Sequence, residues 1–290
     1  MLGLKRGTVA LYPHEKEWED EAKCTIEKLK SILKETAVDI QHVGSTAVKS
    51  ICAKPIIDIA VGVRSFDDIL KYKDILEENG FYLRNSSIEN QLLFVCGSYY
   101  DGTGDLQTHF IHVVIYESCE WQNYLLVRDY LNQNPEKAKE YEALKLKLTE
   151  ECPVDSGREH YTAGKNDFIK SVIRTVIIEK YMGKDVEIEI DRPIGYVHKK
   201  EKYTLVYPLN YGYIPGAYGG DGEELDVYLL GVDEPVKEYR CRIIGAVLRK
   251  NDVEDKLIGA PDNVKYTAQE TYEQIKFQEQ WYETEIKMIK

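Results

Sequence analysis

The acidic residues in the last third of the chain are the groups best suited to metal chemistry. Asp221 and Asp226 flank a turn that can direct both carboxylates inward. Asp252 and Asp255 follow a later predicted strand and can meet the first pair from a neighbouring loop. Mg²⁺ takes oxygen ligands and combines a few carboxylates with waters and substrate phosphates. Such a cluster would hold metal ions, bridge a nucleophilic water and neutralise phosphate oxygens.

Two basic residues adjoin these acids. Arg249 precedes Asp252, and Lys256 follows Asp255 directly. Either cation would offset the charge of a leaving phosphate. A generic acid-rich turn is more often a solvated loop than a metal site, so these residues taken alone leave both interpretations open.

Four segments of residues 185–261, in order, resemble the family I soluble inorganic pyrophosphatases. They are Ile188-Glu189-Ile190, Tyr207–Pro215, Asp221–Val227 and Asp252–Lys256. The ordered set is specific, because chance agreement of all four segments is improbable. The resemblance implies a small OB-like β-barrel with flanking helices, Mg²⁺ as the cofactor and pyrophosphate as the default substrate.

The resemblance also implies roles for individual residues. The metal ligands of the family correspond to Asp221, Asp226, Asp252 and Asp255. Glu223 stands where the family has an aspartate associated with the nucleophilic water. Tyr211 and Lys256 match residues that contact phosphate, and Glu189 matches an acid that lies either in the active site or directly behind it.

Several positions depart from the pyrophosphatase pattern. Gly195 and Val197 stand where that family has a lysine and a glutamate, and Trp281-Tyr282 replaces a Tyr-Lys pair that grips phosphate. The loss of charged donors removes interactions that position and stabilise a phosphate. Two interpretations remain open: a hydrolase acting on pyrophosphate or a related phosphoanhydride, and a catalytically eroded protein that binds nucleotides or phosphates without turnover.

A second informative stretch lies near the start of the chain, in His42–Val48 and Ala53–Ile59. The pattern is a strand, then Gly44-Ser45 opening a helix, then a strand that carries Asp58. Backbone N–H groups at a helix start bind phosphate, and the acid on the next strand would bind Mg²⁺. Lys54 would add positive charge for an anionic substrate, although an exposed lysine is equally well explained by solubility.

These two stretches, together with Thr108–Val114 and Tyr161–Phe168, resemble the GrpB family over residues 7–178. The resemblance implies the fold of the nucleotidyltransferase superfamily, with nucleotidyl transfer as an alternative main activity. That chemistry uses two or three acids, and Ala60 stands where a second carboxylate is expected after Asp58.

The pattern of predicted helices and strands changes near Lys180–Lys184. Residues 1–178 mix helices and strands, which predicts an α+β domain with a mixed sheet. Residues 179–290 contain short strands separated by Gly and Pro turns, which predicts a small barrel. A helix from Thr267 to Lys290 is expected to close the chain. Its expected buried face carries Phe277, Trp281 and Ile286.

The overall charge and hydropathy restrict the partners. The chain has 290 residues, and 38 Lys and Arg against 50 Asp and Glu give a formal net charge of −12. This acidic balance argues against a nucleic-acid partner.

No apolar run approaches the roughly 20 residues that span a bilayer, and Met1–Arg6 lacks the apolar stretch of a signal peptide. We therefore expect a cytoplasmic protein with a small phosphate-containing substrate and no membrane partner. Whether it forms a homo-oligomer is left open.

Overall fold

A computed structural model describes residues 1–84, 90–151, 158–200, 203–219, 222–252, 254–262 and 264–289. The chain divides into two compact units, Met1–Val172 and Ile173–Lys290. Within the described residues, no helix combines the length and the apolar character needed to cross a bilayer.

The first unit is an α+β fold, as predicted. Its elements are β1 (Leu4–Lys5), α1 (Lys16–Leu33), β2 (Ala37–Val43), β3 (Ile57–Val63), α2 (Phe66–Leu70), α3 (Lys73–Glu78), β4 (Tyr82–Arg84), β5 (Gln91–Cys96), α4 (Ser98–Asp101), β6 (Leu106–Gln107), β7 (His109–Ile115), α5 (Cys119–Gln133), α6 (Pro135–Glu151) and the first part of α7 (Arg158–Tyr181), whose residues from Ile173 onward belong to the second unit. Five strands form one mixed sheet in the order β2-β3-β7-β5-β4, in which only β3 and β7 run parallel.

The central strand β3 has a different core on each of its faces. Ile57, Ile59 and Val61 are buried in a cluster that includes residues of α1, α2 and α3. Ala60 points the other way and packs in a second cluster with Trp121 of α5. Because side chains alternate along a strand, Asp58 lies on the α5 face with Ala60.

The second unit contains the predicted barrel. Its elements are β8 (Asp185–Arg192), β9 (Val197–Lys200), β10 (Tyr203–Val206), β11 (Asn210–Tyr218), β12 (Glu224–Leu229), β13 (Glu238–Arg249), β14 (Lys256–Ala260), α8 (Ala268–Glu279) and β15 (Thr284–Met288). Strands β14, β12, β11, β8 and β13 follow one another, and β14 also pairs with β13, which closes a five-stranded barrel. A side chain at Gly212 would collide with the backbone of Glu189, so glycine permits the close pairing of β11 with β8.

The end of the chain corrects one prediction. Helix α8 stops at Glu279, and Thr284–Met288 forms strand β15 beside β13, where a continuous helix was expected. The reason is alternation: Ile286 and Met288 lie two residues apart and both pack against the barrel core. Phe277 also packs against that core, whereas the side chain of Trp281 is 75% exposed, contrary to its expected burial.

Candidate functional site

Three of the predicted pyrophosphatase-type residues meet in the barrel. Tyr211, Asp226 and Lys256 lie on the neighbouring strands β11, β12 and β14. The Tyr211 hydroxyl donates a hydrogen bond to Asp226, and the Lys256 ammonium lies 2.5 Å from the Tyr211 oxygen and 2.6 Å from Asp226 Oδ2. Tyr211 and Lys256 are buried. The structure thus joins an acid, a phenol and a cation.

A further acid, Glu254, completes this cluster and was not singled out from the sequence. Its Oε1 lies 2.8 Å from the Lys256 ammonium, and its Oε2 lies 2.8 Å from the Arg249 guanidinium. The carboxyl groups of Glu254 and Asp226 are hydrogen-bonded to each other. Burial raises the pKa of Asp226, while its hydrogen bond and the charges of Lys256 and Arg249 lower the pKa of Glu254 against the effect of burial. Of the two acids, Asp226 is therefore the one that takes up a proton first as the pH falls.

Asp255, a predicted metal ligand, points away from the cluster. Both of its oxygens accept hydrogen bonds from Arg174, at 2.5 and 2.6 Å, and one also accepts from the backbone N–H of Arg249 at 3.1 Å. Consecutive residues of an extended chain face opposite sides, so Glu254 shares a face with Lys256 and Asp255 does not. Lys256 begins β14 and points into the cluster. The residue two positions before it, Glu254, is therefore expected on the same face, and this is the sequence signal that could have identified it.

Arg249, predicted to bind substrate, is held inside the second unit. Its side chain is 0% exposed and is paired with Glu279 at 2.7 Å, which is also 0% exposed. Arg249 also lies 3.1 Å from Asp252 and 2.8 Å from Glu254. Glu279 in turn accepts a hydrogen bond from Tyr228. This network ties β13 to α8 and leaves Arg249 surrounded by acids.

The remaining predicted residues of the barrel lie closer to solvent. Glu189 is exposed and accepts a hydrogen bond of 2.8 Å from Tyr213, whose cross-strand neighbours are Glu189 on one side and Asp226 on the other. Directly opposed residues share a face, so Glu189 lies on the same face as Asp226. Glu223 is exposed in the turn before β12, and Asp221 lies outside the described residues.

A second residue that the sequence did not single out is Arg192. It ends β8 directly opposite Tyr211, and its guanidinium donates a hydrogen bond of 2.7 Å to the Tyr207 hydroxyl. The guanidinium carbon lies 5.0 Å from the centre of the Tyr211 ring, and the side chain is 30% exposed. Arg192 thus places a guanidinium beside the Tyr207–Pro215 segment from another strand.

Two touching carboxylates give the cluster oxygen donors of the type that a hard cation takes. Touching carboxylates such as those of Asp226 and Glu254 repel each other unless a proton or a cation lies between them, and carboxylate oxygens are the ligands that Mg²⁺ takes. The described residues contain no group of three or more acids, histidines or cysteines arranged to hold a metal ion. Lys256 and Arg249 supply the positive charge that balances the pair.

The first unit brings the predicted Gly-Ser turn against Asp58. Gly44 has a φ of +72°, and a β-carbon at this position would collide with the Asp58 carboxylate, so both conformation and space require glycine. Ser45–Ala47 forms a 3₁₀ turn of three residues where a helix was expected, because the chain returns to extended backbone at Val48, and Ser45 hydrogen-bonds to Tyr141. The Asp58 carboxylate lies 3.1 Å from Nε2 of His112.

His112 lies beside Ala60, the position at which a second acid was expected. It pairs with Ala60 across β3 and β7, and it contacts the Tyr124 ring at a centroid distance of 5.0 Å. Lys54, predicted to bind an anion, places its ammonium 4.8 Å from the centre of the Tyr161 ring.

Comparison with known proteins finds a separate family match for each of the two units. The fold defines a two-part protein, an α+β unit followed by a five-stranded barrel. The chain belongs to the GrpB family, whose profile, described as "GrpB protein", matches residues 8–175. The profile described as "Inorganic pyrophosphatase" matches residues 176–290.

Two relatives cover the first unit. The glutamate-rich protein GrpB of Alkalihalophilus pseudofirmus is 41% identical over 179 residues, which are 60% of this chain and 98% of that protein. The crystal structure of the conserved protein GrpB from Enterococcus faecalis superposes with a TM-score of 0.53 at 28% identity, covering 59% of this chain and 99% of that one.

The relatives of the second unit match a shorter stretch. The inorganic pyrophosphatase of Aquifex pyrophilus is 32% identical over 92 residues, which are 30% of this chain and 52% of that protein. The chain therefore spans about half the length of this pyrophosphatase.

Proposed function

We propose that the barrel unit hydrolyses inorganic pyrophosphate, or a related phosphoanhydride, in the presence of Mg²⁺. The observation that carries the proposal is the hydrogen-bonded cluster of Tyr211, Asp226, Glu254 and Lys256. The match of residues 176–290 to inorganic pyrophosphatases supports the same reaction class.

The acids of the cluster are the ligands that we assign to Mg²⁺. Asp226 and Glu254 supply adjacent oxygens. Asp252 and Glu254 both accept a hydrogen bond from the Arg249 guanidinium. Asp221 is the remaining acid proposed from the sequence. We place Glu254 in the role that the sequence suggested for Asp255, because Arg174 holds the Asp255 carboxylate. Bound Mg²⁺ would lower the pKa of a water and neutralise phosphate charge.

The other residues orient the reactants. Tyr211 and Lys256 both donate to Oδ2 of Asp226 and fix its position. Lys256 and Arg192 provide cations for a polyanionic substrate. Glu223 would orient the attacking water from the turn before β12. Glu189 lies near Asp226 on the same face of the sheet, where it would accept a proton or a hydrogen bond.

The proposal is tested by measuring phosphate release from pyrophosphate with Mg²⁺. The intact chain is compared with Asp226→Asn, which keeps the size of the side chain and removes its charge. Asp233→Asn is the matched control, because Asp233 is exposed in a loop of the same unit. We expect release by the intact chain and the control, and loss of at least about a hundredfold in Asp226→Asn, the scale of removing a transition-state electrostatic contact. Equal release by both variants would overturn the assignment.

A second candidate function is phosphate binding without turnover. The observation that favours it is that buried cations already balance the acids, Lys256 against Asp226 and Arg249 against Glu254. In that case pyrophosphate would bind to the folded chain, and no phosphate would be released at any Mg²⁺ concentration.

Nucleotidyl transfer by the first unit is a third proposal. The contact between the Gly44 turn and the Asp58 carboxylate favours it, because the turn that the sequence suggested for phosphate lies against a potential metal ligand. Its test is Mg²⁺-dependent release of pyrophosphate from nucleoside triphosphates, which Asp58→Asn should abolish.

A further inference from the structure

The last strand of the second unit, β15, lies at the edge of its sheet. Among the described residues it pairs with β13 alone, whereas each of the five barrel strands has a neighbour on both sides. An open strand edge carries a row of unpaired N–H and C=O groups and is a template for pairing with another strand. We call the side of β15 that faces away from β13 the open edge.

The hydrogen bonds to β13 show which residues of β15 turn their backbone towards the open edge. The N–H of Ile289 donates to the Ile244 carbonyl at 2.9 Å, and the Glu283 carbonyl accepts from the Lys250 N–H at 2.8 Å. Backbone groups of successive residues point in opposite directions along an antiparallel strand, so the odd-numbered residues of this segment face β13. The backbone groups that face the open edge are those of Thr284, Ile286 and Met288.

The side chains of β15 divide between the barrel core and solvent. Ile286 and Met288 pack against the core but remain partly exposed, and Glu285 and Lys287 are exposed on the opposite face. Glu285 lies 3.5 Å from Lys250 of β13 in an exposed ion pair. In the part of the chain that the structure describes, no carboxylate lies within ion-pair distance of Lys287. The exposed face of β15 therefore carries one acid and one base, two positions apart.

The sequence of β15, Thr-Glu-Ile-Lys-Met, is complementary to itself in the antiparallel direction. When Ile286 lies opposite Ile286 of a second copy, Glu285 of each copy lies opposite Lys287 of the other. Thr284 then lies opposite Met288, so the residues whose backbone faces the open edge meet and can exchange hydrogen bonds. The charged residues take the non-hydrogen-bonded positions, where side chains are closer, and opposite charges there stabilise the pair.

Other antiparallel registers of the same strand are less favourable. A register centred on Glu285 places two glutamates directly opposite each other, and one centred on Lys287 does the same with two lysines. Like charges directly opposite each other destabilise a strand pair. In the registers between these, a residue that faces the open edge meets one that faces β13, and the hydrogen bonds are lost. Charge and hydrogen bonding thus select the register centred on Ile286.

We propose that β15 pairs antiparallel with β15 of a second copy of this chain, in the register centred on Ile286. The same patch is used by both copies, as in the two-fold symmetric dimers that are the commonest oligomers, and main-chain hydrogen bonds join them as in other strand additions. A strand of five residues forms a small interface, so the dimer is weak and depends on concentration. The inference goes beyond the proposed function, which concerns the reactions of the two units.

The test is sedimentation equilibrium of the intact chain at concentrations from micromolar to submillimolar. Lys287→Glu leaves only glutamates on the exposed face of β15, and Glu285→Lys leaves only lysines. Either variant alone places like charges opposite each other at both ends of the pair, so we expect dimerisation weakened about tenfold or more. Lys265→Glu is the matched control, because Lys265 is exposed outside β15, and it should dimerise like the unaltered chain.

A mixture of the two charge variants distinguishes strand pairing from a general effect of charge or a folding defect. In the mixture each glutamate of one variant faces a lysine of the other, so heterodimers should form although neither variant dimerises well alone. A fluorescent label on one variant makes the heterodimer visible in sedimentation velocity. The new lysine at position 285 also adjoins Lys250, but that site is exposed and the repulsion is weak.

Three results would overturn the proposal. One is a monomeric unaltered chain at every concentration. Another is equal dimerisation of Lys287→Glu and the Lys265→Glu control. The third is the absence of heterodimers from a mixture of variants that each melt at the temperature of the unaltered chain. Association is measured without substrate or Mg²⁺, so a failure of pyrophosphate hydrolysis leaves this result unaffected.

Discussion

The carboxyl groups of Asp226 and Glu254 are hydrogen-bonded to each other beside the Lys256 ammonium, which contacts both. The neighbouring Asp255 faces Arg174 on the opposite side of the chain. Two adjacent acids of one loop therefore have different surroundings, and their substitutions should have different effects.

The first prediction separates these two acids by activity and by stability. Glu254→Gln removes a proposed metal ligand, so we expect phosphate release to fall by about a hundredfold or more while the fold is kept. Asp255→Asn leaves Arg174 without a charged partner, so we expect a loss of about 1–3 kcal/mol in the free energy of unfolding and activity within about tenfold. Phosphate release and urea unfolding measure the two effects. The opposite pattern would show that Asp255 is the functional acid.

The second prediction concerns the buried pair of Arg249 and Glu279. Arg249→Met leaves the Glu279 carboxylate buried without its cation, which should cost about 3–5 kcal/mol of unfolding free energy. The control is Lys250→Met, because Lys250 and Glu285 form an exposed pair that should contribute about 1 kcal/mol or less. Urea unfolding distinguishes the two. Equal small losses would mean that Arg249 does not hold α8 to the barrel.

The third prediction concerns Gly44. In Gly44→Ala, the new side chain is strained by the positive φ and also collides with Asp58. In Gly80→Ala, at φ +88°, the new side chain has only the backbone strain, because no atom lies within 4 Å of the added carbon. We expect Gly80→Ala to cost about 1 kcal/mol and Gly44→Ala clearly more. The difference in the free energy of unfolding measures the closeness of the turn to Asp58. Equal costs would contradict that contact.

The fourth prediction is a pH dependence of the first unit. Burial lowers the pKa of His42 and of His109 from 6.5 to about 4. Between these values the unfolded chain binds protons that the folded chain does not, so stability is complete above pH 6.5 and falls as the pH decreases toward 4. The loss is up to roughly 3 kcal/mol per histidine. Urea unfolding at pH 7 and pH 5 measures it.

The control for the pH dependence is the double variant His42→Asn and His109→Asn. It should show a flatter change between pH 7 and pH 5, because it lacks both titrating groups. A change as steep as that of the unaltered chain would assign the effect to other groups.

Much of the fold followed from local patterns of the sequence. The short strands and their turns predicted the barrel, and the segments with Tyr211, Asp226 and Lys256 predicted residues that do meet on neighbouring strands. The final strand β15 was missed because Thr284–Met288 directly follows a helix, and its alternation spans only five residues.

The details that were missed depend on side-chain direction and burial. A loop sequence does not fix whether Glu254 or Asp255 points inward, since that depends on where β14 begins. Lys145 is one of several lysines on α6 and is buried, and only packing distinguishes it from the exposed ones. Arg192 reaches the Tyr-Pro segment across strands, which spacing along the chain does not reveal.

The most direct test of the central claim is the rate of phosphate release from pyrophosphate by the intact folded chain as Mg²⁺ is increased. We predict release that rises with Mg²⁺, saturates, and is lost in Asp226→Asn. Release no faster than in buffer at every Mg²⁺ concentration, from a chain that unfolds cooperatively, would contradict hydrolysis and leave a phosphate-binding barrel.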